Sequence, residues 1–335
     1  MHRLTVSRRT VLGGATLLTT PSVIRSACAA GRVVVGTWGG DYARLLRENV
    51  DDPILKPQGI EVVQDVGDEA PRFAKLTAQR MLPRGNIDIA CLGAPNGYRA
   101  GQAGLLAKLD PANAPNLKTI TGFLWNDYFV PHIYSAQVIA YNPQTVSDPP
   151  KSFGDLLDPK WKGKIVKAHP GYSGTIITVT FEISRDIGWD FFAKLGWQQI
   201  MQVQSAAEPP KKVAEGERPV AADGGEYLPL QMIGRGAPLA LVYPPEGTPS
   251  IPGGAGVVVD APHPNAARLF AIYLFSRAGQ QLMVDMARIR SVHPDVKLPD
   301  GMKPLAEIKV MKPDAAAQEK ETATIKEKYA EYFGL

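Results

Sequence analysis

A tryptophan and two glycines follow the first apolar run of the chain, in the sequence VVVGTWGGDYARLL at residues 33–46. Glycine lets backbone N–H groups approach a ligand closely, and the Trp38 ring offers a flat apolar face. Apolar residues then resume with helical spacing, so the sequence predicts a strand, a tight turn and a helix. A turn of this kind could cradle a nucleotide phosphate, present a catalytic group or line a pocket for a small solute.

The spacing of these glycines favours the third alternative. It does not match the G-x-G-x-x-G fingerprint of dinucleotide-binding loops. Since the turn lies at the carboxyl edge of a strand, where open α/β sheets bind ligands, we expect Thr37-Trp38-Gly39-Gly40 to contact a solute. Burial of Trp38 in the core is the alternative, and Asp41 is expected to cap the following helix rather than to bind the solute.

A second candidate is the sequence GYSGT at residues 171–175. It differs from the G-x-S-x-G elbow of serine hydrolases, because Thr175 occupies the last glycine position and Pro170 interrupts the preceding strand. Ser173, Gly174 and Thr175 instead begin a predicted helix, whose free N–H groups and two hydroxyls suit a carboxylate or a phosphate. The alternative is that Ser173 only caps this helix.

A third candidate is the sequence AADGGEYL at residues 221–228, which follows a predicted strand and begins a predicted helix. Asp223 and Glu226 could bind an amine, and the Tyr227 ring could stack on the same cation. The alternative is that the two acids stabilise the first turn of the helix.

Further candidates are aromatic residues and a proline near predicted strand ends or crossings. With the three segments above, the candidate ligand-binding residues are Thr37, Trp38, Gly39, Gly40, Pro95, Tyr98, Tyr134, Ser173, Gly174, Thr175, Asp223, Glu226, Tyr227 and Tyr243. We predict no catalytic residue, no metal ligand and no cofactor, since the histidines form no H-E-x-x-H pattern.

Residues 1–30 have the features of an export signal. A twin-arginine sequence, SRRTVLGG at residues 7–14, precedes a modest apolar run, and small residues at 27–30 allow cleavage before Gly31. We therefore expect export to the periplasm by the twin-arginine route. No later segment is apolar over enough residues to span a membrane.

Removal of this signal changes the charge and the cysteine content of the chain. The full sequence has 37 Lys+Arg and 33 Asp+Glu, and four of the arginines lie in residues 1–30. The exported chain then has equal numbers of basic and acidic residues, which argues against nucleic-acid binding. Cys91 becomes its only cysteine, so the sequence predicts neither an internal disulfide nor a cysteine metal cluster.

Short apolar runs alternate with helical patterns along the rest of the chain, which predicts an α/β protein with mostly parallel sheets. Residues 130–146 and 238–262 are extended, carry proline or glycine, and are predicted crossings between two lobes with a binding cleft between them. The last predicted helix, Ala315–Phe333, is rich in Ala, Glu and Lys, as expected of an exposed terminal helix. The predicted division is a signal peptide at 1–30, the first part of lobe 1 at 31–136, lobe 2 at 137–245, and the return crossing, the rest of lobe 1 and the C-terminal helices at 246–335.

Five segments of the chain carry a resemblance to a known family when taken together and in order. They are GTWGGDY at 36–42, FGDLLDPKWKGKI at 153–165, HPGYSGT at 169–175, LVYPPEGTP at 241–249 and APHPNAARLFAIYLFSRAGQQLM at 261–283. In these segments the chain resembles the periplasmic solute-binding proteins of ABC importers, within the branch that holds ferric-iron, polyamine, thiamine and phosphonate binders. The resemblance spans nearly all of the chain after residue 30.

This resemblance implies a type II periplasmic-binding-protein fold, in which each of two lobes is a mainly parallel sheet with flanking helices. It implies that a ligand is clamped in the cleft between lobes that close on a hinge. The implied partners are a small-molecule solute and the membrane permease of an ABC importer, with no nucleic acid and with the protein as a monomer.

Two departures from the patterns of this family restrict the solute. Ferric-iron binders of this branch carry adjacent tyrosines, whereas Tyr227 lies between Glu226 and Leu228. Polyamine binders carry an aromatic residue closely followed by Asp after the hinge, whereas residues 248–254 read TPSIPGG.

The predicted function is that of a transport receptor rather than an enzyme. It would bind a small organic solute, polyamine-like or zwitterionic, with an acid end on Ser173 and Thr175 and an amine near Asp223. A ferric-iron binder of the same family, an exported enzyme of unknown type and a module that signals to a sensor partner are the alternatives.

Overall fold

Two lobes, each built on a five-stranded sheet, make up the described part of the protein. The computed structural model describes residues 31–39, 41–82, 84–109, 128 and 130–334. The predicted signal peptide, residues 1–30, and the candidate ligand residue Gly40 lie outside the described residues. The predicted α/β class and two-lobed architecture are confirmed.

The first sheet is built from strands that lie far apart in the chain. Its strands are β1 (Gly31–Thr37), β2 (Ile60–Val66), β3 (Ile89–Gly93), β4 (Val130–Ala136) and β10 (Ser250–Val257), in the order β2-β1-β3-β10-β4. β1 pairs in parallel with β2 and β3, whereas β10 pairs antiparallel with β3 and β4. Val33, Val35 and Ile89 pack in the core beneath this sheet, where Cys91 is also buried.

The second sheet is formed by the strands between β4 and β10. They are β5 (Ile139–Tyr141), β6 (Ile165–Ala168), β7 (Met201–Val203), β8 (Val220–Ala221) and β9 (Ala240–Val242), in the order β7-β6-β8-β5-β9. β6 pairs in parallel with β7 and β8, whereas β5 pairs antiparallel with β8 and β9. Ile165, Phe192 and Val220 lie in the core of this lobe.

One strand in each sheet runs against the other four described strands, so each sheet is mainly parallel, as the sequence predicted, with one reversed strand. The reversed strands are β10 in the first sheet and β5 in the second. Each is the first strand after the chain has crossed from the other lobe. A chain that crosses at the carboxyl ends of the parallel strands enters the next sheet at that edge and runs away from it, which explains the reversal.

Helices flank both sheets. They are α1 (Asp41–Leu46), α2 (Glu69–Gln79), α3 (Ala94–Gln102), α4 (Gly174–Asp186), α5 (Trp189–Gly196), α6 (Glu208–Ala214), α7 (Tyr227–Ile233), α8 (Pro264–Leu274), α9 (Arg277–Ala287) and α10 (Ala315–Phe333). A π-helical segment, Arg47–Leu55, extends α1, and short 3₁₀ turns occur at Lys56–Gln58, Gly154–Leu157, Pro159–Trp161 and Leu305–Glu307. Among the described residues, every helix is too short or too polar to cross a membrane.

The C-terminal helix α10 is anchored in the second lobe. Ile325 and Tyr329 are fully buried, and the Tyr329 ring stacks on Phe333 with 4.2 Å between the ring centroids. Gln318 donates from Nε2 to Thr178 Oγ1 on α4 at 2.9 Å. Most of the helix is exposed or half-buried, as its Ala-, Glu- and Lys-rich composition predicted, and its buried face is what the composition did not predict.

The two crossings between the lobes meet at a junction of residues 136–138, 224–226 and 249. Gln137 N–H donates to the carbonyl oxygen of Pro249 at 2.8 Å, which ties the outward crossing to the return crossing. Val138 N–H donates to the carbonyl oxygen of Gly224 at 2.9 Å. The junction therefore joins three segments that are far apart in the sequence.

Candidate functional site

A cleft of about 910 Å³ lies between the two lobes. Its first wall includes Trp38 and Asn96, which follow β1 and β3, and its second wall includes Thr175 and Tyr227, which follow β6 and β8. The volume falls within the range of about 300–1,000 Å³ that is usual for small-molecule sites. The carboxyl ends of parallel strands in both sheets thus face one shared cavity, as is general for open α/β sheets.

The structure brings some of the candidate residues to the cleft and leaves others away from it. Those that line the cleft are Trp38, Gly39, Pro95, Tyr134, Gly174, Thr175 and Tyr227. Those that do not line it are Thr37, Tyr98, Ser173, Asp223, Glu226 and Tyr243. Polar lining residues that the sequence did not predict include Tyr42, Glu69, Asn96, Ser135, Gln137 and Gln318.

The Trp38 ring is held in the first wall by its neighbours. It packs edge-to-face on Tyr42 with 5.2 Å between the ring centroids. The buried Arg72 guanidinium lies over the Trp38 ring, 5.5 Å from the ring centroid. Arg72 donates to the carbonyl oxygens of Cys91 and Gly67 at 2.7 and 2.6 Å. Trp38 is half-buried, so its ring is supported from within the lobe while part of it faces the cleft.

Glu69, at the start of α2, is a carboxylate of the first wall with one oxygen in use and one available. Its Oε1 accepts hydrogen bonds from Gly93 N–H and from Asn96 Nδ2, each at 2.7 Å. Within the described part of the chain, Oε2 has no hydrogen-bond partner. Glu69 is half-buried and lines the cleft, so Oε2 can accept a hydrogen bond from a cationic or neutral donor of a ligand.

The N-terminus of α4 forms part of the second wall. Ser173 makes no side-chain capping bond, although the sequence offered capping as its alternative role. Its carbonyl oxygen accepts from the N–H groups of Ile176 and Ile177, each at 3.1 Å, whereas Gly174 and Thr175 N–H donate to no described group. Two backbone donors at the positive end of a 13-residue helix therefore lie on the cleft wall.

Gln137 lies in the junction, where both walls of the cleft meet. Its side chain is buried, with 2% of the residue exposed, and its Oε1 accepts from Gly224 N–H at 2.7 Å. Its Nε2 has no partner among the described residues, and the residue lines the cleft. Tyr227 lies nearby on the second wall and packs against the core of the first lobe.

Asp223 does not reach the cleft, which corrects the prediction that it binds an amine of the solute. The residue is buried, and its Oδ2 lies 3.1 Å from Nζ of Lys167 in the same lobe. Its Oδ1 accepts from Ala168 N–H at 3.2 Å. Burial raises the pKa of Asp223, and the Lys167 ammonium opposes that rise. The partner of the Asp223 carboxylate is therefore Lys167, inside the second lobe.

Glu226 and Tyr243 also have internal partners, which corrects their prediction as ligand residues. The Arg290 guanidinium donates from Nε and Nη2 to the two oxygens of Glu226, each at 2.8 Å, and both residues are at most 1% exposed. Tyr243 donates its hydroxyl to Glu226 Oε2 at 2.7 Å, and Ala136 N–H donates to Oε1 at 3.2 Å. Burial and the Glu226 carboxylate raise the pKa of Tyr243, so it remains a donor.

The other candidates away from the cleft take structural positions. Thr37 is fully buried at the end of β1, below the Trp38 turn. Tyr98 is half-buried on α3, and Ser173 is half-buried just before α4. The predicted turns reach the cleft, but local sequence spacing did not indicate which residues of each turn line it.

Histidine and acidic side chains near the cleft are the groups that could hold a metal ion or carry a titratable charge there. The described residues contain no group of three or more His, Cys, Asp or Glu arranged to hold a metal ion. His132 lies behind Tyr42 and shares a hydrogen bond with its hydroxyl through Nε2. Burial lowers the pKa of His132 from 6.5 to about 3, so it adds no positive charge behind the first wall at neutral pH.

Residues 88–318 match the family of bacterial extracellular solute-binding proteins, which is more than half of the chain. A protein of Haemophilus influenzae is 26% identical over 226 residues, which make up 63% of this chain and 64% of that relative. The putative 2-aminoethylphosphonate-binding periplasmic protein of Salmonella typhimurium is 24% identical over 255 residues, which make up 73% of each chain.

Solved structures with the same fold include periplasmic binding proteins. AfuA from Actinobacillus pleuropneumoniae superposes with a TM-score of 0.77 at 22% identity, over 91% of this chain and 99% of that one. Iron-bound HitA from Pseudomonas aeruginosa superposes with a TM-score of 0.74 at 22% identity, over 89% of this chain and 99% of that one. These likenesses establish the fold, and the family match agrees with the resemblance in the five sequence segments. The chain belongs to the family of bacterial extracellular solute-binding proteins.

Proposed function

We propose that the protein is the solute receptor of an ABC importer and that its solute is a small organic molecule with an ammonium group and an oxyanion. The solute binds in the cleft, the lobes close on it, and the complex delivers it to the membrane permease without chemical change. The observation that carries this proposal is the opposite chemistry of the two walls. Among the described residues, the first wall offers a carboxylate oxygen without a hydrogen-bond partner, and the second offers backbone N–H groups that donate to no described acceptor.

The ammonium group would bind at the first wall. Glu69 Oε2 is available to accept its hydrogen bond, and a bond to a charged group contributes about 1.5–3 kcal/mol. The rings of Trp38 and Tyr42 line the same wall, and a cation over an aromatic face gains about 0.5–2 kcal/mol. These groups replace Asp223 as the expected partner of the amine.

The oxyanion would bind at the second wall. Gly174 and Thr175 present N–H groups, and a helix N-terminus stabilises a negative charge by about 0.3–1 kcal/mol, or up to about 2 kcal/mol when partly buried. This is too little to hold a solute by itself. The contacts to the oxyanion at the second wall therefore supplement those to the ammonium group at the first wall. A molecule that carries both groups gains binding free energy from both walls.

The charged residues around the cleft also favour a solute with both signs of charge. The described lining contains equal numbers of acidic and basic side chains, which are Glu69, Glu215, Glu319, Arg99, Lys211 and Arg235. A solute with one sign of charge would meet as many repulsive as attractive groups at this rim.

The names of related proteins supply test solutes. The Salmonella relatives are named as putative 2-aminoethylphosphonate-binding proteins, and 2-aminoethylphosphonate carries both an ammonium and an oxyanion. AfuA was solved with fructose-6-phosphate, which lacks an ammonium, and another structural neighbour is a spermidine/putrescine-binding protein, whose solutes lack an oxyanion. The chemistry of this cleft favours the zwitterion among these classes.

Export and the division of the chain complete the proposal. Residues 1–30 would direct the protein through the twin-arginine route to the periplasm, where it acts as a monomer. Residues 31–136, 137–245 and 246–335 would be the first part of lobe 1, lobe 2, and the return crossing with the rest of lobe 1 and the C-terminal helices. The passage of the chain from β4 to β5 and from β9 to β10 supports these divisions.

Calorimetric titration and thermal melts of the purified protein test this proposal. The probes are 2-aminoethylphosphonate, 4-aminobutyrate, fructose-6-phosphate, putrescine and Fe³⁺. We expect the zwitterions to bind and to stabilise the protein by about 2.7 kcal/mol at a hundredfold excess over Kd, and to be recovered unaltered after incubation. Tighter binding of putrescine, fructose-6-phosphate or Fe³⁺, or consumption of a probe, would overturn it.

A further inference from the structure

Gln137 combines three properties that rarely occur together in one side chain. It is 2% exposed, it lines the cleft, and its Nε2 has no hydrogen-bond partner in the described part of the chain. Buried polar atoms in proteins are nearly always hydrogen-bonded. An unpaired buried donor in a residue that lines the cavity therefore points to an acceptor that enters the cavity.

The orientation of this amide is fixed by the hydrogen bond on its other end. Gly224 N–H can only donate, and it lies 2.7 Å from Oε1 of Gln137. The oxygen must therefore face Gly224, which leaves the NH₂ group at the opposite end of the amide plane. A flipped amide would place two donors against each other and is excluded by this contact.

The backbone around Gln137 is held on both sides, so the free donor is preorganised. Gln137 N–H donates to Pro249 O at 2.8 Å, and its neighbour Val138 donates to Gly224 O at 2.9 Å. On its other side, Ala136 O accepts from Glu226 N–H at 2.9 Å. A donor held in this way loses little freedom when a ligand binds.

We propose that Gln137 is a specificity-determining residue, which donates from Nε2 to an oxyanion oxygen of the bound solute. The assignment rests on the proposed function, because it concerns the solute in the same cleft. The Nε2 group has hydrogens and no lone pair to offer, so it stabilises a carboxylate or phosphonate oxygen and cannot accept from an ammonium group. Gln137 thus selects zwitterions over diamines from the base of the cleft.

The substitution Gln137→Glu tests the donor without removing the acceptor. A glutamate keeps an oxygen for Gly224 N–H and replaces the free NH₂ group with a second oxygen of negative charge. We expect the affinity for 2-aminoethylphosphonate to fall by about 100-fold, since a hydrogen bond to a charged group is replaced by repulsion. Affinity for putrescine, which has no acceptor of this kind, should not fall.

Gln79→Glu is the matched control. Gln79 is 4% exposed in the first lobe and lies outside the cleft lining, and both ends of its amide are bonded. Its Nε2 donates to Ile87 O at 2.9 Å, and its Oε1 accepts from Asn86 and Ile87 N–H at 2.9 Å each. Gln79→Glu should lower Tm and leave Kd unchanged, whereas Gln137→Glu should change Kd much more than Tm.

An independent readout does not require the glutamate variant to fold. The side-chain amide resonance of Gln137, assigned by its loss in Gln137→Met, should shift when 2-aminoethylphosphonate is added to the wild-type protein. An unmoved resonance, or a Gln137→Glu protein with wild-type affinity, would overturn the assignment while the wild type still binds the probe. A wild-type protein that binds none of the zwitterions would overturn the proposed function and this assignment together.

Discussion

Glu69 and Glu226 both lie at the start of a helix that follows a strand, yet they differ in what surrounds their oxygens. Glu226 is fully buried, and both of its oxygens accept hydrogen bonds from Arg290, with Tyr243 and Ala136 as further donors. Glu69 is half-buried, receives two neutral donors on one oxygen and leaves the other facing the cleft. A carboxylate near the cleft can serve a solute when an oxygen is left without a partner, whereas a saturated carboxylate belongs to the framework.

The largest effect is expected from Arg290→Met, which turns the saturated carboxylate into an unpaired one. Breaking a buried ion pair by removing one partner leaves an uncompensated charge and costs about 3–5 kcal/mol. We expect the free energy of unfolding, measured by urea denaturation, to fall by that amount. The double variant Arg290→Met with Glu226→Gln should recover part of the loss, and a single variant within about 1 kcal/mol of the wild type would contradict the framework role.

Glu182 offers a third case, a buried carboxylate that makes no ion pair among the described residues. It is fully buried on α4 and accepts from Ser250 N–H at 2.6 Å and from Ser250 Oγ at 3.1 Å. Desolvation raises its pKa from 4.5 to about 8. The folded state therefore holds this proton more tightly than the unfolded state.

Because the folded-state pKa is the raised one, the contribution of Glu182 to stability is full below pH 4.5 and is lost as the pH rises to about 8. The loss is at most about 1.4 kcal/mol per pH unit within that window. Glu182→Gln removes this dependence. In melts from pH 5 to pH 9, the Tm of the variant should therefore rise relative to that of the wild type as the pH rises. Parallel curves for the two proteins would show that Glu182 ionises normally.

A smaller effect, on affinity rather than stability, is expected from Glu69→Gln. The amide oxygen keeps the bonds from Gly93 and Asn96, and only the charge facing the cleft is lost. We expect the affinity for 2-aminoethylphosphonate to fall by about 10- to 100-fold, with little change in the free energy of unfolding. Glu48→Gln, at an exposed pair with Arg44, is the control and should leave both quantities unchanged. A Glu69→Gln protein with the affinity of the wild type would contradict the proposal that the ammonium group binds at the first wall.

The smallest effect is expected from Tyr243→Phe. This variant removes one donor from Glu226, which keeps Arg290 and Ala136 N–H. The loss of one hydrogen bond should lower the free energy of unfolding by about 1–2 kcal/mol and leave solute affinity unchanged. If Tyr243→Phe weakens binding more than it weakens folding, Tyr243 contacts the solute after all.

Much of the fold could be predicted from local pattern. The strand and the helix predicted within residues 33–46 are present, although the helix passes into a π-helical segment that carries Pro53. The passage at 238–262 was predicted as extended, and it contains β9 and β10, including glycines 253 and 254 in a sheet. Periodicity predicted these elements, but it could not predict the direction in which β5 and β10 join their sheets.

Less of the site could be predicted, because the decisive partners are distant in sequence. The turns at Trp38 and Gly174 were found from glycine and strand ends, which are local signals. Glu226 was predicted to bind solute because Arg290, 64 residues further on, was not known to pair with it. The free amide of Gln137 depends in the same way on Gly224, 87 residues away.

The position of α10 affects how late in refolding the protein recovers its ability to bind solute. Its C-terminal half is anchored in the core of the second lobe, while Gln318 and Thr322 line the same cleft as Trp38. The cleft thus joins residues from nearly opposite ends of the described chain, and such long-range contacts form slowly. We expect solute binding to be among the last properties to return during refolding, which makes it a sensitive report of complete folding.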